Sequence, residues 1–138
     1  MVLLIMGILA ATAGPTFLES LYHHRLESAA RRVKQDLEYL RDASRAKSAT
    51  LECELVGTGY QFTDATILHL DRGDPYSVDL TAAPYQIETA DFGGLTSIAF
   101  DGYGNTTANS DVVVTLGLKG NTRTVRVLAT TSKVVLDP

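Results

Sequence analysis

Residues 1–47 read MVLLIMGILAATAGPTFLESLYHHRLESAARRVKQDLEYLRDASRAK, and this stretch decides the fold. No charged side chain occurs before Glu19, so the chain begins with 18 uncharged residues, at the lower edge of the length that spans a bilayer core. From Leu26 onward, apolar residues recur at steps of three and four, which is the period of one helix face. The sequence therefore predicts a helix that is apolar all round in its first half and striped in its second.

The second half of the predicted helix has one apolar stripe, and charged residues, Asp36 among them, occupy its other faces. After Pro15, which can bend or break a helix, no glycine or proline interrupts the pattern until Gly57. A continuous helix of this length would measure roughly 70 Å at 1.5 Å per residue. We expect the stripe to supply one side of the core, through Leu26, Val33, Leu37 and Leu40.

Three interpretations of the apolar start compete: a cleaved signal peptide, a plain membrane anchor, and an anchor whose helix runs on into the soluble domain. Ala11-Thr12-Ala13 is a passable cleavage site, but no basic residue precedes the apolar run, as a signal peptide would require. A cleaved signal peptide also would not need an unbroken run into the amphipathic helix. The continuity therefore favours the third interpretation.

From Ala49 onward the pattern changes to short alternating runs separated by turn residues. Lys119-Gly120-Asn121 marks the clearest hairpin, because glycine and asparagine tolerate positive φ. The predicted fold is α+β: a long N-terminal helix with a membrane-embedded first half, packed on an antiparallel β-sheet head. Strands are predicted at 50–56, 60–62, 66–70, 76–80, 85–89, 97–100, 111–118, 122–129 and 133–136.

The organisation predicted along the chain has three parts. Residues 1–21 are expected to form a transmembrane helix segment, residues 22–47 to continue that helix as an amphipathic element, and residues 48–138 to form a β-rich head.

Charge is divided unevenly between the two halves of the chain. Residues 1–47 hold seven Lys or Arg and five Asp or Glu, a balance of +2, whereas residues 48–138 hold five and eleven, a balance of −6. The acidic head argues against broad nucleic-acid binding, which calls for clustered basic residues. Arg123 and Arg126 are the candidates for a local DNA contact, although alternating exposed positions on a strand explain them equally well.

No nucleophile, acid and base have a spacing typical of catalysis, so the sequence predicts neither an enzyme nor a cofactor site. Cys53, the only cysteine, is expected to be a small buried hydrophobe. The pair His23-His24 follows the apolar run, and we expect it at a membrane interface, since no second metal ligand lies near it in the sequence.

Two acidic loops resemble binding motifs only in composition. Asp71, Asp74 and Asp79 lack the spacing of an EF-hand calcium loop and are expected to be solvated loop acids. Residues 101–105, DGYGN, contain the glycines of a phosphate-binding loop without the lysine that must follow, so a simple turn is predicted there.

The stretch MVLLIMGILAATAGPTF resembles the start of the type IV pilin and type II secretion pseudopilin superfamily. The matching residues are Gly7-Ile8-Leu9-Ala10-Ala11, then Pro15 and Phe17. The helix that follows is similar to the minor-pseudopilin class called GspH or FimT, in a pattern filled here by Ala30, Val33, Asp36, Leu37, Arg41, Ala43, Ser44 and Ala46. SIAFDGYGNTT at 97–107 and the hairpin after it are similar to the closing pattern of that class.

The resemblance implies a structural role, that of a minor pseudopilin of a type II secretion system, which assembles through its apolar helix into a short periplasmic filament. The alternative is a minor type IV pilin of a DNA-uptake or adhesion pilus, which binds DNA or a partner through its head. Either role implies a single-pass protein of the bacterial inner membrane, with other pilins or pseudopilins and membrane lipid as partners. The resemblance also implies that residues 1–21 form the filament core after assembly and that the head, residues 48–138, lies in the periplasm or otherwise outside the cytoplasm.

Small residues in the apolar run would allow neighbouring helices of such an assembly to approach closely. The positions expected to pack in the membrane or filament are Gly7, Ala10, Ala11, Gly14 and Pro15.

The sequence departs from the family at its start. The family's basic leader, its cleavage-site glycine and its Phe-Thr-Leu-x-Glu are not present, and alignment on Gly7 and Pro15 would put the glutamate about three residues before Met1. Three explanations are open: the chosen start codon lies too late, the sequence is a gene fragment, or the protein never enters a prepilin peptidase. We expect the first, and a prepilin peptidase is a partner only if a leader is encoded upstream. An in-frame leader in the genomic DNA is the observation that tests this expectation.

Overall fold

The structure is a computed structural model that describes residues 2–69 and 73–138, with the side chains of 2–4 and 9–13 left out. Helix α1 spans Val2–Lys47, and its 46 residues give a length of about 69 Å at 1.5 Å per residue. Pro15 lies inside this helix without ending it. The prediction of one long N-terminal helix is confirmed.

The C-terminal end of α1 is closed by a Schellman motif. Ser48 has a φ of 50°, its N–H donates to the carbonyl of Arg45 at 3.2 Å, and the N–H of Ala49 donates to the carbonyl of Ser44 at 3.2 Å. These two bonds satisfy carbonyl groups that the end of a helix leaves without partners. The chain therefore leaves the helix sharply and enters the first strand.

The described residues of the head form two four-stranded antiparallel sheets, where the sequence led us to expect one. The first has the order β3-β2-β1-β5 and consists of β1 (Leu51–Val56), β2 (Gly59–Phe62), β3 (Ser77–Asp79) and β5 (Ser97–Phe100). The second has the order β4-β6-β7-β8 and consists of β4 (Thr89–Asp91), β6 (Val112–Leu118), β7 (Asn121–Val127) and β8 (Val134–Leu136). Alternation in a sequence predicts that a strand exists but not which strand it pairs with.

Two predicted strands are wrong in position. Of the predicted strand 66–70, residue 70 lies outside the described residues; within 66–69, the N–H of Ile67 donates back to the carbonyl of Asp64 at 3.0 Å, and Leu68 makes only an isolated bridge to Pro75. In the segment 85–89, residues 85 and 86 both donate to the carbonyl of Ala82 in a turn, and strand β4 begins only at Thr89. In both places, hydrogen bonds close in sequence replace the expected ladder.

The β6–β7 hairpin is confirmed where it was predicted. Leu118 pairs with Asn121, and the two residues between them, Lys119 and Gly120, have φ values of 50° and 78°. Two positive φ values in a two-residue loop are the requirement of a type I′ turn, whose twist suits the flanking strands.

The core lies between α1 and the two sheets. The four stripe residues are each at most 2% exposed, and Ala29 and Ala30, which lie between them, are fully buried. The small alanine side chains let the strands approach the helix closely, so one helix packs against strands of both sheets. Cys53 is also fully buried, as predicted, and burial, followed by the charges of Asp36 and Glu52, raises the pKa of its thiol.

Leu37→Ala should lower the free energy of unfolding by about 2–5 kcal/mol, because it removes a fully buried side chain from the contact between helix and sheets. Urea denaturation followed by circular dichroism measures this loss. The matched control is Gln35→Ala on the exposed face of the same helix, for which a change within about 0.5 kcal/mol is expected. Equal effects of the two substitutions would contradict the packing described above.

Candidate functional site

The first part of α1 projects beyond the head, and we call residues 2–20 the protruding segment. The described side chains at 5–8 and 14–20 are exposed, whereas the stripe becomes fully buried only at Leu26. Five large apolar side chains in this segment are between 49% and 71% exposed: Ile5, Met6, Ile8, Phe17 and Leu18. Apolar exposure on this scale typically marks a surface that another molecule covers.

Two glycines of the protruding segment lie on nearly the same helix face. Gly7 and Gly14 are seven residues apart, which places them within about 20° of each other around the axis. A Cβ atom added at either position would have no neighbour within 4 Å, and Pro15 beside them is exposed. The side chains of Ala10 and Ala11, predicted to share this surface, lie outside the described residues. The open glycines leave room for another helix to approach.

The predicted membrane segment, residues 1–21, largely coincides with the protruding segment. Across 2–69 and 73–138, no helix combines the length and the apolar character that crossing a membrane requires. The placement of these residues in a bilayer therefore stays a prediction, whereas the exposure of their described side chains is a property of the structure.

An ion-pair cluster joins α1 to the second sheet. The carboxylate of Glu27 accepts a hydrogen bond from Arg31 Nε at 3.0 Å through one oxygen, and its other oxygen forms an ion pair with Arg123 Nη2 at 2.8 Å. Arg126 pairs with Asp137 at 2.9 Å. Both arginines that the sequence offered as a DNA contact thus have carboxylate partners, which a phosphate group would have to displace.

A second polar cluster, which the sequence analysis missed, joins α1 to the first sheet around Asp36. One carboxylate oxygen accepts from Arg32 Nε at 3.1 Å and from the Tyr60 hydroxyl at 2.5 Å, and the other accepts from the Tyr76 hydroxyl at 2.6 Å. Arg32 Nη2 also donates to the Tyr76 hydroxyl at 2.8 Å.

Asp36 is only 6% exposed, so its expected place on an outer face of the helix is wrong. The sequence signal for this burial is the position of Asp36 at the edge of the stripe, next to Leu37. A buried carboxylate is tolerated when nearby donors satisfy it, and here two hydroxyls and a guanidinium do so.

The environment of Asp36 keeps both tyrosine hydroxyls protonated. Burial, and next the negative charge of Asp36, raises the pKa of Tyr60 well above its ordinary value. Burial, and next the hydrogen bond to Asp36, also raises the pKa of Tyr76. Burial alone would lower the pKa of Arg32, but the adjoining carboxylate outweighs it and the pKa is raised. The cluster is therefore a set of stable donors around one acceptor.

The remaining sequence candidates lie on the surface. His23 and His24 are exposed at a cleft of about 400 Å³ between α1 and the start of β7. Asp79 accepts hydrogen bonds from the backbone and hydroxyl of Thr81, while Asp71 lies outside the described residues. Within the described ranges, no three His, Cys, Asp or Glu side chains are grouped in a way that could hold a metal ion. Residues 101–105 form the predicted turn, closed by the carboxylate of Asp101.

Asp36→Ala should destabilise the protein by about 2–3 kcal/mol, because it leaves buried hydroxyls and a guanidinium without their acceptor. The control is Asp42→Ala, which removes an exposed ion pair and should cost less than about 1 kcal/mol. Urea denaturation at neutral pH compares the two, and equal losses would argue against a structural role for the cluster.

Stability should also fall as the pH rises above about 10. The unfolded chain releases the tyrosine protons near that pH, whereas Tyr60 and Tyr76 hold theirs to higher pH in the folded state. The stabilisation is therefore fully present below pH 10 and is lost as the pH rises toward the folded-state pKa values. Tyr60→Phe should flatten the alkaline limb of a plot of unfolding free energy against pH, and an unchanged limb would contradict this assignment.

Comparisons with known proteins bear on the fold. No protein-family model matches the chain, and no curated protein matches it significantly. Two crystal structures of the type IV minor pilin FimU from Pseudomonas aeruginosa PAO1, in space groups P21 and P65, are similar to it. The first matches with a TM-score of 0.65 at 16% identity, over 84% of this chain and 90% of its own length. The second matches with a TM-score of 0.62 at 16% identity, over 82% of this chain and 93% of its own length.

This likeness shows a pilin-like α+β fold, with a long N-terminal helix packed on antiparallel sheets, and the predicted fold class is confirmed to that extent. The pilin fold is that of structural, non-enzymatic proteins, which agrees with the expectation that the chain is not an enzyme. The finer assignment to the GspH or FimT class stays a prediction.

Proposed function

We propose that this chain is a structural subunit of a pilin-type filament, which it joins through the protruding segment of α1. The observation that carries the proposal is the exposure of five large apolar side chains between Ile5 and Leu18, on a part of the helix that the head does not cover. Lateral packing against the helices of other subunits would bury these side chains. The heads would then lie on the outside of the filament.

The free energy gained by burying these side chains is comparable to the cost of association. Full burial of one large apolar side chain contributes about 1.5–3 kcal/mol, so five contribute on the order of 10 kcal/mol. The loss of translational and rotational freedom on association costs about 4–15 kcal/mol. Helix packing of this kind therefore approximately offsets that cost, and contacts between heads supply the rest. For a copy whose segment already lies in membrane lipid, this transfer from water has taken place beforehand, and close packing between helices is the remaining gain.

The sequence pattern supports a minor pseudopilin of a type II secretion system, anchored in the bacterial inner membrane with its head in the periplasm. The likeness to FimU, a type IV minor pilin, supports the alternative of a minor subunit in a type IV pilus. Both roles use the same assembly surface. A DNA-binding form of the alternative receives less support, because Arg123 and Arg126 are ion-paired and the head carries a balance of −6.

Gly7→Trp tests assembly through the helix. A side chain at position 7 meets no atom of the head, so the head should stay folded while the bulk prevents a neighbouring helix from approaching. We expect a loss of secretion or piliation of about tenfold or more in a complementation assay, the equivalent of about 1.4 kcal/mol.

Two controls separate the loss of helix packing at position 7 from the general effect of a bulky side chain. Gln35→Trp places the same side chain on the exposed face of α1 within the head, and Gly7→Ala keeps position 7 small. Both should retain function. Full activity of Gly7→Trp would exclude close helix packing at this glycine.

A band-shift assay with the full chain tests DNA binding. We expect no shift of duplex DNA at low salt, where phosphate contacts are strongest. A salt-sensitive shift that Arg123→Ala and Arg126→Ala weaken would instead favour the DNA-uptake alternative.

A further inference from the structure

Basic residues surround α1 at the lower end of the head, directly after the protruding segment. Arg25 lies five residues beyond that segment, or about 8 Å along the helix axis, and its side chain is partly exposed. No ion pair among the described residues includes Arg25. Since no carboxylate of the described chain neutralises this guanidinium, its charge is available to another molecule.

A second positive charge lies on the opposite flank of the helix. Glu27 is two residues from Arg25, which is about 200° around the axis, and its one carboxylate pairs with Arg31 at 3.0 Å and Arg123 at 2.8 Å. This cluster therefore has one cation more than it has anions. The Arg31 side chain is 68% exposed and donates to Glu27 through Nε, so its terminal amino groups can donate to a ligand as well.

A cleft of about 400 Å³ opens beside this cluster, between α1 and the start of β7. It is lined by His23, His24, Leu26, Glu27, Thr122 and Arg123. A guanidinium binds phosphate oxygens through paired N–H groups, and imidazole and hydroxyl groups donate further hydrogen bonds to them. Two guanidiniums already neutralise the Glu27 carboxylate, so it opposes such a ligand only weakly. The cleft therefore suits an anionic phosphodiester.

The charge at this end of the molecule differs in sign from that of the rest. Lys119, in the turn beside Thr122, pairs with Glu88 at 2.9 Å, and Glu19 is an anion of the protruding segment itself. The seven charged groups here comprise four cations and three anions, a balance of +1 with both histidines neutral: Arg25, Arg31, Lys119, Arg123, Glu19, Glu27 and Glu88. Because the chain has a net charge of −4, its other residues carry −5.

Distance decides which of these charges a membrane would feel. At physiological salt, mobile ions screen exposed charges over about 8–10 Å. The proposed function has the protruding segment in membrane lipid before assembly, and Arg25 and the cleft follow that segment within two helical turns. They would then lie at the level of the lipid headgroups, whereas acidic residues such as Asp42 lie about 26 Å further along the axis.

We propose that Arg25, Arg31, Arg123 and the cleft beside them form one surface, the basal surface, which binds the phosphodiester groups of anionic membrane lipids. This inference rests on the proposed function, since it takes the protruding segment to lie in lipid before assembly. It adds to that function a contact between the head and the bilayer surface. The contact would hold the head close to the bilayer until the subunit leaves the membrane.

Flotation of the full chain with lipid vesicles tests the basal surface. One set of vesicles contains phosphatidylcholine alone, and the other contains phosphatidylcholine with phosphatidylglycerol, whose headgroup is anionic. We expect the chain to bind both sets through the protruding segment, and to bind the second about tenfold more tightly at low salt, with the difference lost at high salt. A chain with a net charge of −4 and no basic site would bind the second set more weakly.

Arg25→Gln and Arg31→Gln should each lower the preference for phosphatidylglycerol about threefold. Lys133→Gln is the matched control, because it removes the same charge from an exposed side chain that no ion pair among the described residues includes. The carbonyl of Ser132 beside it accepts from Arg41, which is 16 residues or about 24 Å beyond Arg25 along α1. Circular dichroism confirms that each variant is folded, and equal losses from Arg25→Gln and Lys133→Gln would overturn a local site.

The two kinds of vesicle separate this proposal from the proposed function. Equal binding to both sets overturns the basal surface alone, whereas a chain that floats with neither set overturns the membrane anchoring in the proposed function as well. Soluble glycerol phosphate offers the same phosphate chemistry without a bilayer. If it releases the chain from phosphatidylglycerol vesicles and sodium chloride of equal ionic strength does not, the site belongs to a free phosphate and the lipid contact is overturned.

Discussion

The head depends on the burial of one apolar stripe of α1 against two sheets. Within the part of the chain that the structure describes, neither four-stranded sheet has another layer to cover its inner face, so each relies on the helix and on the other sheet for its core. Ala29 and Ala30 are fully buried, and their small side chains leave room for the strands to approach the helix between the larger stripe residues. A single helix can therefore contact strands of both sheets at once. The length and direction of α1 then determine where every loop of the head lies.

Two polar clusters flank this stripe and fix the rotation of the helix. On one side Asp36 accepts hydrogen bonds from Tyr60 and Tyr76, which belong to the first sheet and the segment leading into β3. On the other side Glu27 pairs with Arg123 of β7 in the second sheet. An apolar contact alone tolerates small rotations, whereas a buried carboxylate is costly unless its donors are in place. The clusters thus add directional contacts to a core that burial holds together.

The same helix has a covered and an uncovered apolar surface, and this division connects the fold to the proposed function. Beyond the head, large apolar side chains such as Phe17 are exposed, and the proposed function has another molecule cover them.

The sequence by itself determined the long helix, the stripe from Leu26 to Leu40, the hairpin at 119–121 and the burial of Cys53. These features depend on local periodicity and turn chemistry, which a few neighbouring residues encode. Only the tertiary structure places the strands in two sheets, keeps residues 66–69 out of a regular strand and buries Asp36. The partners of Asp36 lie 24 and 40 residues further along the chain, and their positions follow from strand pairing across the whole head. A buried polar residue is stable only where such distant donors converge, and no local pattern records that convergence.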